Sequence, residues 1–521
     1  MANHMESKRP AGRVLTAAFA VFSLCGAAEA RAQDVATEGG VPREPVPVAG
    51  DTPSEPPVTP PYTHSPYHPP PYRPPPLPPK PTRRYVLLPG IFPEADMFAG
   101  IAELGLVTAS AKEFYGPLQF GFFGSEAASF AGLAQVGLVH TEIEDTFHGG
   151  FQLALGRNVA DELYGGGQIS LYRNVTTDFF AGVLQYAVWR NDAQRFVGLL
   201  QLGAVNTAQV FVGGLQIGAY NKIGEAIDWD EGSLPGRGGP QSFVGLAQVG
   251  GHNRIEGGSF YGVLQLGGFN AITRKHFHGV LQLGVLNGID GRFMGIAQVG
   301  LASYAEEGFY GVTQAGLINV LQQDFVGLVQ GGGANVILRG NFRGIAQVGL
   351  GNYANRDFRG ILQASPLFNG VGQHFKGVMQ LSGLFNYVRD DFNGVFQVAP
   401  ANWARRKFKG VAQIGVANYT GDDFTGAQIG GGNVVKEDMS GLQAGLFNTT
   451  EEVTGVQIGG ANLSDRMFGA SIGVVNKTKF VRGVQVGLVN YTERLRGVQL
   501  GLVNVSRGGG LPFMPVMNLG F

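Results

Sequence analysis

The sequence predicts an all-β protein made of one short unit repeated many times. The pattern F-x-G-x-x-Q-x-G-x-x-N returns about every 16 residues from Phe98 onward and tightens to about 14 near the end of the chain. Its apolar stretch is too rich in Gly and β-branched residues for a helix. The polar stretches between copies, such as GIDGR and YTGDD, contain residues that favour turns. Because a fixed period means one structural unit copied many times, we predict about 25 strand-and-turn units over residues 84–521.

The composition excludes several classes of protein. The chain has 521 residues and a formal net charge of -1, so its charge gives no indication of a nucleic-acid partner. Charged residues make up 15% of the chain, against roughly 25% in an ordinary soluble domain. Cys25 is the only cysteine. Because it lies in the N-terminal leader, we expect no disulfide and no cysteine metal site in the mature chain.

Residues 1–32 have the pattern of a secretory signal peptide. Lys8 and Arg13 belong to a basic start, residues 14–28 are apolar, and an A-x-A cleavage motif ends at Ala32. An uncleaved anchor is the alternative, but the apolar run is short for a membrane helix. We therefore expect an exported protein of the outer membrane or cell surface.

Residues 33–83 are dense in proline, as in PPYTHSPYHPPPYRPPPLPPKP. Proline lacks a backbone N–H group and fixes φ, so this segment is expected to join neither a sheet nor a helix. A disordered linker with polyproline II character is the predicted state. It acts either as a passive spacer or as a tether that contacts a cell-wall or surface ligand.

The uncharged character of the strands favours a membrane-type barrel. In Phe277–Asn287, strict alternation puts Phe277 and Asn287 on one face and Gln282 on the other. Charges are confined to the turns, whereas the exposed face of a soluble sheet usually carries some. Eleven residues also match the 9–11 that a tilted strand needs to cross a bilayer. These observations predict a many-stranded antiparallel sheet that closes as a β-barrel in outer-membrane lipid.

The end of the chain adds to this interpretation, because Phe513, Met517, Leu519 and Phe521 alternate as in the terminal strand of bacterial outer-membrane barrels. The alternative fold is a β-solenoid, in which each unit is one coil and the Gln and Asn side chains form stacked ladders. Unit lengths of 14 to 17 residues argue against stacked coils, which need equal perimeters. A wide, wet barrel lumen, however, should carry more charge than Gln, Gly and Val provide.

The unit G-x-x-Q-x-G-x-x-N resembles the repeat of a family of bacterial surface-repeat proteins that is named for it. GVLQLGVLN from Gly279, GVAQIGVAN from Gly410 and GVQVGLVN from Gly483 carry the resemblance, which covers roughly residues 98–504. It implies export and association with the cell surface or outer membrane, and no agreed activity.

Two sets of residues are candidates for a specific role. The repeated glutamines either hydrogen-bond one another and fix the register or line a pore for polar solutes; the structural role is favoured for Gln265, Gln282, Gln298, Gln314, Gln347, Gln380 and Gln413. The only long insertion, the loop at 221–242, is either a solvated acidic loop, a Ca²⁺ ligand or a partner contact. The loop residues concerned are Asp228, Trp229, Asp230 and Glu231.

No catalytic or nucleotide-binding motif is present. The sequence therefore predicts a protein that is not an enzyme and has no cofactor. Its function is expected to be that of an outer-membrane or cell-surface β-repeat protein, either pore-forming as a barrel or, as a surface-exposed solenoid, an adhesin or structural element of the cell envelope.

Overall fold

The computed structural model describes residues 87–224 and 241–521, and these residues form a stack of parallel strands, a β-solenoid of about 25 turns. Residues 87–224 and 241–521 contain no helix, and therefore none that is long and apolar enough to cross a membrane. The predicted strand repeats are confirmed. The predicted signal peptide, the proline-rich linker and the loop residues Asp228–Glu231 lie outside the described residues.

The first part of the solenoid contains fourteen strands. They are β1 (Leu87–Gly90), β2 (Glu94–Ala99), β3 (Ala102–Gly105), β4 (Thr108–Tyr115), β5 (Leu118–Gly121), β6 (Gly124–Gly137), β7 (His140–Ala154), β8 (Arg157–Ser170), β9 (Arg173–Ala187), β10 (Arg190–Leu202), β11 (Val205–Ile223), β12 (Phe243–Glu256), β13 (Phe260–Thr273) and β14 (Phe277–Ile289).

The middle part has shorter strands because the corners of each turn interrupt them. They are β15 (Phe293–Met294), β16 (Ala297–Ala305), β17 (Phe309–Tyr310), β18 (Thr313–Leu321), β19 (Phe325–Val326), β20 (Val329–Ile337), β21 (Phe342–Arg343), β22 (Ala346–Ala354), β23 (Phe358–Arg359), β24 (Leu362–Ser365), β25 (Phe368–Val371), β26 (Phe375–Lys376), β27 (Met379–Ser382), β28 (Phe385–Val388), β29 (Phe392–Asn393), β30 (Phe396–Val398) and β31 (Ala401–Ala404).

In the last part the pairing continues through the corners. The strands are β32 (Phe408–Thr420), β33 (Phe424–Val435), β34 (Asp438–Val486), β35 (Val489–Ser506) and β36 (Phe513–Gly520). Strand β34 is long because it follows several successive turns of the solenoid without a break in its backbone pairing.

One turn of the solenoid, which we call a rung, is well represented by the unit that begins at Phe277. The side chains of Phe277, Gln282, Asn287 and Ile289 are fully buried and point into the solenoid. Val280 and Val285, between them, are exposed. Strand alternation is therefore reset at a corner before Gln282 and at another before Asn287, whereas the step from Asn287 to Ile289 follows it. Each rung has three straight segments and then a polar turn that leads to the next Phe.

The apolar half of the interior is a column of stacked phenylalanine rings. Neighbouring rings such as Phe277 and Phe293 lie parallel, with their centroids 4.8 Å apart and 6° between their planes. Leu163 interrupts the column, and Met439 begins a run of aliphatic residues that replaces it near the C-terminus. The facing aliphatic column includes Ile289. This apolar stack stabilises each rung only through its neighbours, as in other repeat proteins.

The predicted antiparallel barrel is wrong, because successive units pair in parallel and in the same register. Phe260 aligns with Phe277, Gln265 with Gln282, and Asn270 with Asn287. Strict alternation had placed Phe277 and Gln282 on opposite faces. The corners turn both side chains inward instead. Part of each uncharged stretch therefore faces the buried interior of the solenoid.

The unequal unit lengths are absorbed without loss of register. Extra residues enter the turns, outside the buried columns. The six units from Phe424 onward lack one residue between Gly and Gln, and there the Gly adopts a φ between 130° and 148° that other residues rarely adopt. Gln413 still aligns with Gln428, and Gln428 with Gln443. Equal perimeters are therefore not required.

Both described ends of the stack resist further strand pairing. The first rung carries Pro89 and Pro93, which lack backbone N–H groups. At the other end β36 pairs antiparallel with β35 and contains Pro515 followed by Val516, whose φ is 70°. Proline and irregular backbone at an edge oppose the addition of another strand. The terminal strand thus closes the solenoid, whereas the sequence suggested the last strand of a barrel.

Candidate functional site

The repeated glutamines form one buried column. Gln282 donates a hydrogen bond from Nε2 to Oε1 of Gln265 at 2.8 Å, and Gln298 donates in the same way to Gln282 at 2.8 Å. This pattern continues from rung to rung and includes Gln314, Gln347, Gln380 and Gln413. The structure thus brings these sequence-predicted residues together. Stacked amides of this kind fix the register of parallel strands.

The asparagines form a second column with the opposite polarity. Asn270 donates from Nδ2 to Oδ1 of Asn287, in the next rung, at 2.9 Å, and also to the carbonyl oxygen of Leu283 at 2.7 Å. Glutamine amides donate toward the N-terminal end of the solenoid, whereas asparagine amides donate toward the C-terminal end. Because the two columns are antiparallel, the dipoles of their side-chain amides oppose each other along the solenoid axis.

Each end of the glutamine column has a residue suited to it. Glu103 occupies the glutamine position of its rung, is fully buried and accepts a hydrogen bond from Nε2 of Gln119 at 2.9 Å. A glutamine at this end would have to place its own N–H groups beneath Leu88, which aligns with Glu103. At the other end Asn518 of β36 donates to Oε1 of Gln499 at 3.3 Å.

Burial raises the pKa of Glu103 to about 7, with the hydrogen bond from Gln119 acting in the opposite direction. A carboxyl whose folded pKa is raised stabilises the fold fully below its unfolded pKa, and this contribution is lost as pH rises through about 7. We therefore expect the first rungs to lose stability as pH rises from about 4.5 to about 7. The variant Glu103→Gln should show a smaller loss over the same range, measured by hydrogen exchange of Thr108–Tyr115. An equal pH dependence in both proteins would contradict this assignment.

The outer surface of the solenoid has a continuous uncharged face. We define it by the outward side chains from two residues before each column Gln to four residues after it, which are Val280 to Leu286 in the unit of Gln282. Across the described rungs, Glu103 is the only Asp, Glu, Lys or Arg in this window, and it points inward. The charged side chains outside this window lie in the turns or beside the face.

The uncharged face is apolar and open to solvent. Ile361 is 53% exposed, Leu317 57% and Val416 69%. Seven residues at about 3.3 Å each across, and about 25 rungs at about 4.8 Å along, give on the order of 2,500 Å². Soluble monomers rarely expose a continuous apolar patch of more than a few hundred Å², and larger ones mark contact sites. The uncharged face is therefore the candidate functional site.

The relief of this face is uneven. A β-carbon added to Gly331, Gly351 or Gly432 would meet no atom within 4 Å, so these glycines are open notches between bulkier neighbours. Near the C-terminal end a groove of about 690 Å³ runs along the face. Glycines such as Gly473 and Gly487 form its floor, and its walls are Ile458, Ile472, Val486, Leu488, Leu500 and Leu502. The groove is almost wholly apolar.

Four of the five rungs from Phe342 to Thr420 carry a basic residue along one border of the face. Each basic residue directly follows the column Phe, and the parallel register aligns Arg343 with Arg359, Arg359 with Lys376, and Lys376 through Asn393 with Lys409. Arg359 pairs with Asp357 at 2.9 Å and Arg343 lies 3.8 Å from Asp324. Lys376 and Lys409 make no ion pair with another described residue. We call these four residues the basic border.

Four of the same five rungs carry an aromatic residue along the opposite border. Each directly follows the column Asn, and the register aligns Tyr353 through Gly370 with Tyr387, then Trp403 and Tyr419. The rings of Trp403 and Tyr419 lie 4.5 Å apart, and Trp403 is 42% exposed. We call Tyr353, Tyr387, Trp403 and Tyr419 the aromatic border. The uncharged face is thus flanked by cations on one side and by aromatic rings on the other.

Other candidate sites are few. Among the described residues no group of three or more His, Cys, Asp or Glu is arranged to hold a metal ion. The loop residues Asp228, Trp229, Asp230 and Glu231, proposed as a contact or Ca²⁺ site, lie outside the described residues. Sequence reasoning missed Glu103 and the two borders. Glu103 stands at a glutamine position of the repeat, and the border residues hold fixed offsets from Phe and Asn, so signals for both were present.

The fold and the uncharged face define a β-solenoid repeat protein with an extended apolar surface. The chain matches no protein-family model, no curated protein and no solved structure.

Proposed function

We propose that this protein is an exported, non-enzymatic β-solenoid that acts at the cell surface as an adhesive or structural element of the envelope. The observation that supports the proposal most strongly is the uncharged face, which presents on the order of 2,500 Å² of mostly apolar surface. A surface of this size is far larger than the roughly 800 Å² per partner of a standard protein interface. An extended contact surface suits a binding or structural role.

Further support comes from the N-terminal segment and from the repeats themselves. The N-terminal segment has the pattern of a signal peptide, and the resemblance to surface-repeat proteins implies the same destination. The pore considered for the barrel is not part of this proposal. The Gln column that would have lined it is fully buried and donates to its own neighbours.

Surface display is tested by protease treatment of intact cells that express the full chain with an epitope in the turn at Gly421, between the rungs of Phe408 and Phe424. We expect the epitope to be labelled by antibody on intact cells and lost after protease treatment. A matched variant that lacks residues 1–32 should keep its epitope inside the cell. Retention of the full chain in the cytoplasm would refute the proposal.

A further inference from the structure

The borders of the uncharged face indicate which partner this face contacts. Over the five rungs from Phe342 to Thr420, apolar side chains such as Ile361 and Val411 are flanked by the basic border and by the aromatic border. Tyr and Trp place an apolar ring and a polar group at the boundary between hydrocarbon and water. Lys and Arg place an apolar stem and a charged end there. Both borders therefore match the two edges of a surface that meets lipid.

The charge of the basic border specifies the lipid. Parallel register stacks Arg343 on Arg359, and Arg359 on Lys376, at the spacing of adjacent rungs. Like charges directly opposite each other on neighbouring strands are destabilising. Asp357 and Asp324 offset the charges of the two arginines only, so the lysines keep theirs. A row of phosphate groups would neutralise this column, because Lys and Arg bind phosphate strongly.

We propose that the uncharged face over Phe342–Thr420 lies flat on an anionic lipid surface, with the basic border on lipid phosphates and the aromatic border at the opposite headgroup edge. This inference rests on the proposed surface function and names its partner. Binding of this kind buries apolar side chains about 5–10 Å into the headgroup and acyl boundary and adds electrostatic attraction to anionic lipids. The solenoid lies on the bilayer and does not cross it.

A second copy of the chain fits the face less well. Tight protein interfaces need shape complementarity close to that of a protein interior. The notches at Gly331, Gly351 and Gly432 stand beside exposed residues such as Leu317, so a rigid copy of the same relief would leave voids. Fluid acyl chains fill an uneven surface.

The test is flotation of the purified full-length chain with vesicles of phosphatidylcholine alone or with phosphatidylglycerol added. We expect binding to the anionic vesicles, weakened by salt. The variant Arg343→Gln, Arg359→Gln, Lys376→Gln and Lys409→Gln should bind them at least tenfold more weakly, since each basic residue adds attraction near such a surface. The matched control replaces four exposed cations outside the basic border, Lys112, Arg406, Lys407 and Lys479, by glutamine and should bind like the parent.

Apolar contact is tested separately by Ile361→Lys with Val411→Lys. These side chains are exposed, so the fold should remain, as circular dichroism would show. We expect this variant to lose binding despite its added positive charge, because charge alone does not replace apolar contact. Trp403 emission in a variant with Trp189 and Trp229 replaced by Phe should shift to the blue on anionic vesicles.

Three results would overturn the lipid assignment. They are equal binding by the four-glutamine border variant and its control, stronger binding by the double-lysine variant, or a stable dimer in solution that does not bind vesicles. The last result would assign the face to a second copy. None of them would affect surface display on cells, so a failure of this inference is distinguishable from a failure of the proposed function.

Discussion

Replacing Gln314 by glutamate in the middle of the glutamine column is expected to make the stability of the solenoid strongly dependent on pH. Gln314 donates to Gln298 at 2.9 Å and accepts from Gln330 at 2.8 Å, and all three side chains are fully buried. A protonated carboxyl can replace both bonds, because its O–H donates and its carbonyl oxygen accepts. An ionised carboxylate can only accept, so it leaves Oε1 of Gln298 without a donor and places a charge in the interior.

The direction follows from the folded pKa, which burial should raise well above the ordinary value of about 4.3. The stability contribution is present below that ordinary value and is lost as pH rises toward the raised folded pKa. The free energy of unfolding should therefore fall by about 1.4 kcal/mol per pH unit over that interval. Thermal melts between pH 5 and pH 8 measure it, provided that the parent protein is followed in parallel.

Gln373→Glu is the matched control, because it is the same substitution at an exposed turn position. Its melting temperature should follow that of the parent at every pH. If Gln314→Glu also followed the parent up to pH 8, the glutamine column would not be a continuous buried hydrogen-bonded structure.

The contrast with Glu103 explains why one carboxyl is tolerated naturally. Glu103 stands at the end of the column, where no preceding amide oxygen requires a donor. It therefore needs only to accept a hydrogen bond from Gln119. Inside the column every position must donate as well as accept. The one internal position of the column without an amide is Ser471, and there Oε1 of Gln457 has no hydrogen-bond partner among the described residues.

The repeat period, the strands and the turns could all be predicted from the sequence, but the direction of pairing could not be predicted by strict alternation. Phe277, Gln282 and Asn287 are five residues apart, an odd spacing that alternation assigns to opposite faces. Equal odd spacings indicate a corner between each pair of marked residues, and this signal favours a three-sided coil. Unequal unit lengths argue wrongly against a solenoid, because only the residues between corners must match from one rung to the next.

The candidate site was harder to predict because it exists only in the parallel register. Arg343 and Arg359 are 16 residues apart in sequence and become neighbours when one rung stacks on the next. Under antiparallel pairing of successive units the same residues would lie at opposite ends of neighbouring strands. The absence of charge beside each Gln is visible in the sequence, where it favours lipid around a barrel. In the solenoid these uncharged residues are divided between the buried interior and one exposed face.

Gly455→Ala is expected to destabilise the C-terminal rungs by on the order of 3–5 kcal/mol, from backbone strain and overpacking together. Gly455 has a φ of 141°, in a unit that lacks the residue between Gly and Gln. An added β-carbon would also lie against the carbonyl oxygen of Gly441 in the preceding rung, well inside contact distance. Neither the backbone of Gly455 nor that of Gly441 can move without breaking the parallel pairing on both sides.

Gly432→Ala is the matched control, since its β-carbon would meet no atom within 4 Å and its φ is ordinary. Hydrogen exchange followed by mass spectrometry should show faster exchange from about residue 440 to 470 in Gly455→Ala and an unchanged profile in Gly432→Ala. The middle rungs should keep their protection in both variants, because each rung contacts only its neighbours. Equal protection of the C-terminal rungs in the two variants would mean that the shortened units fit the stack by some means other than the left-handed glycine.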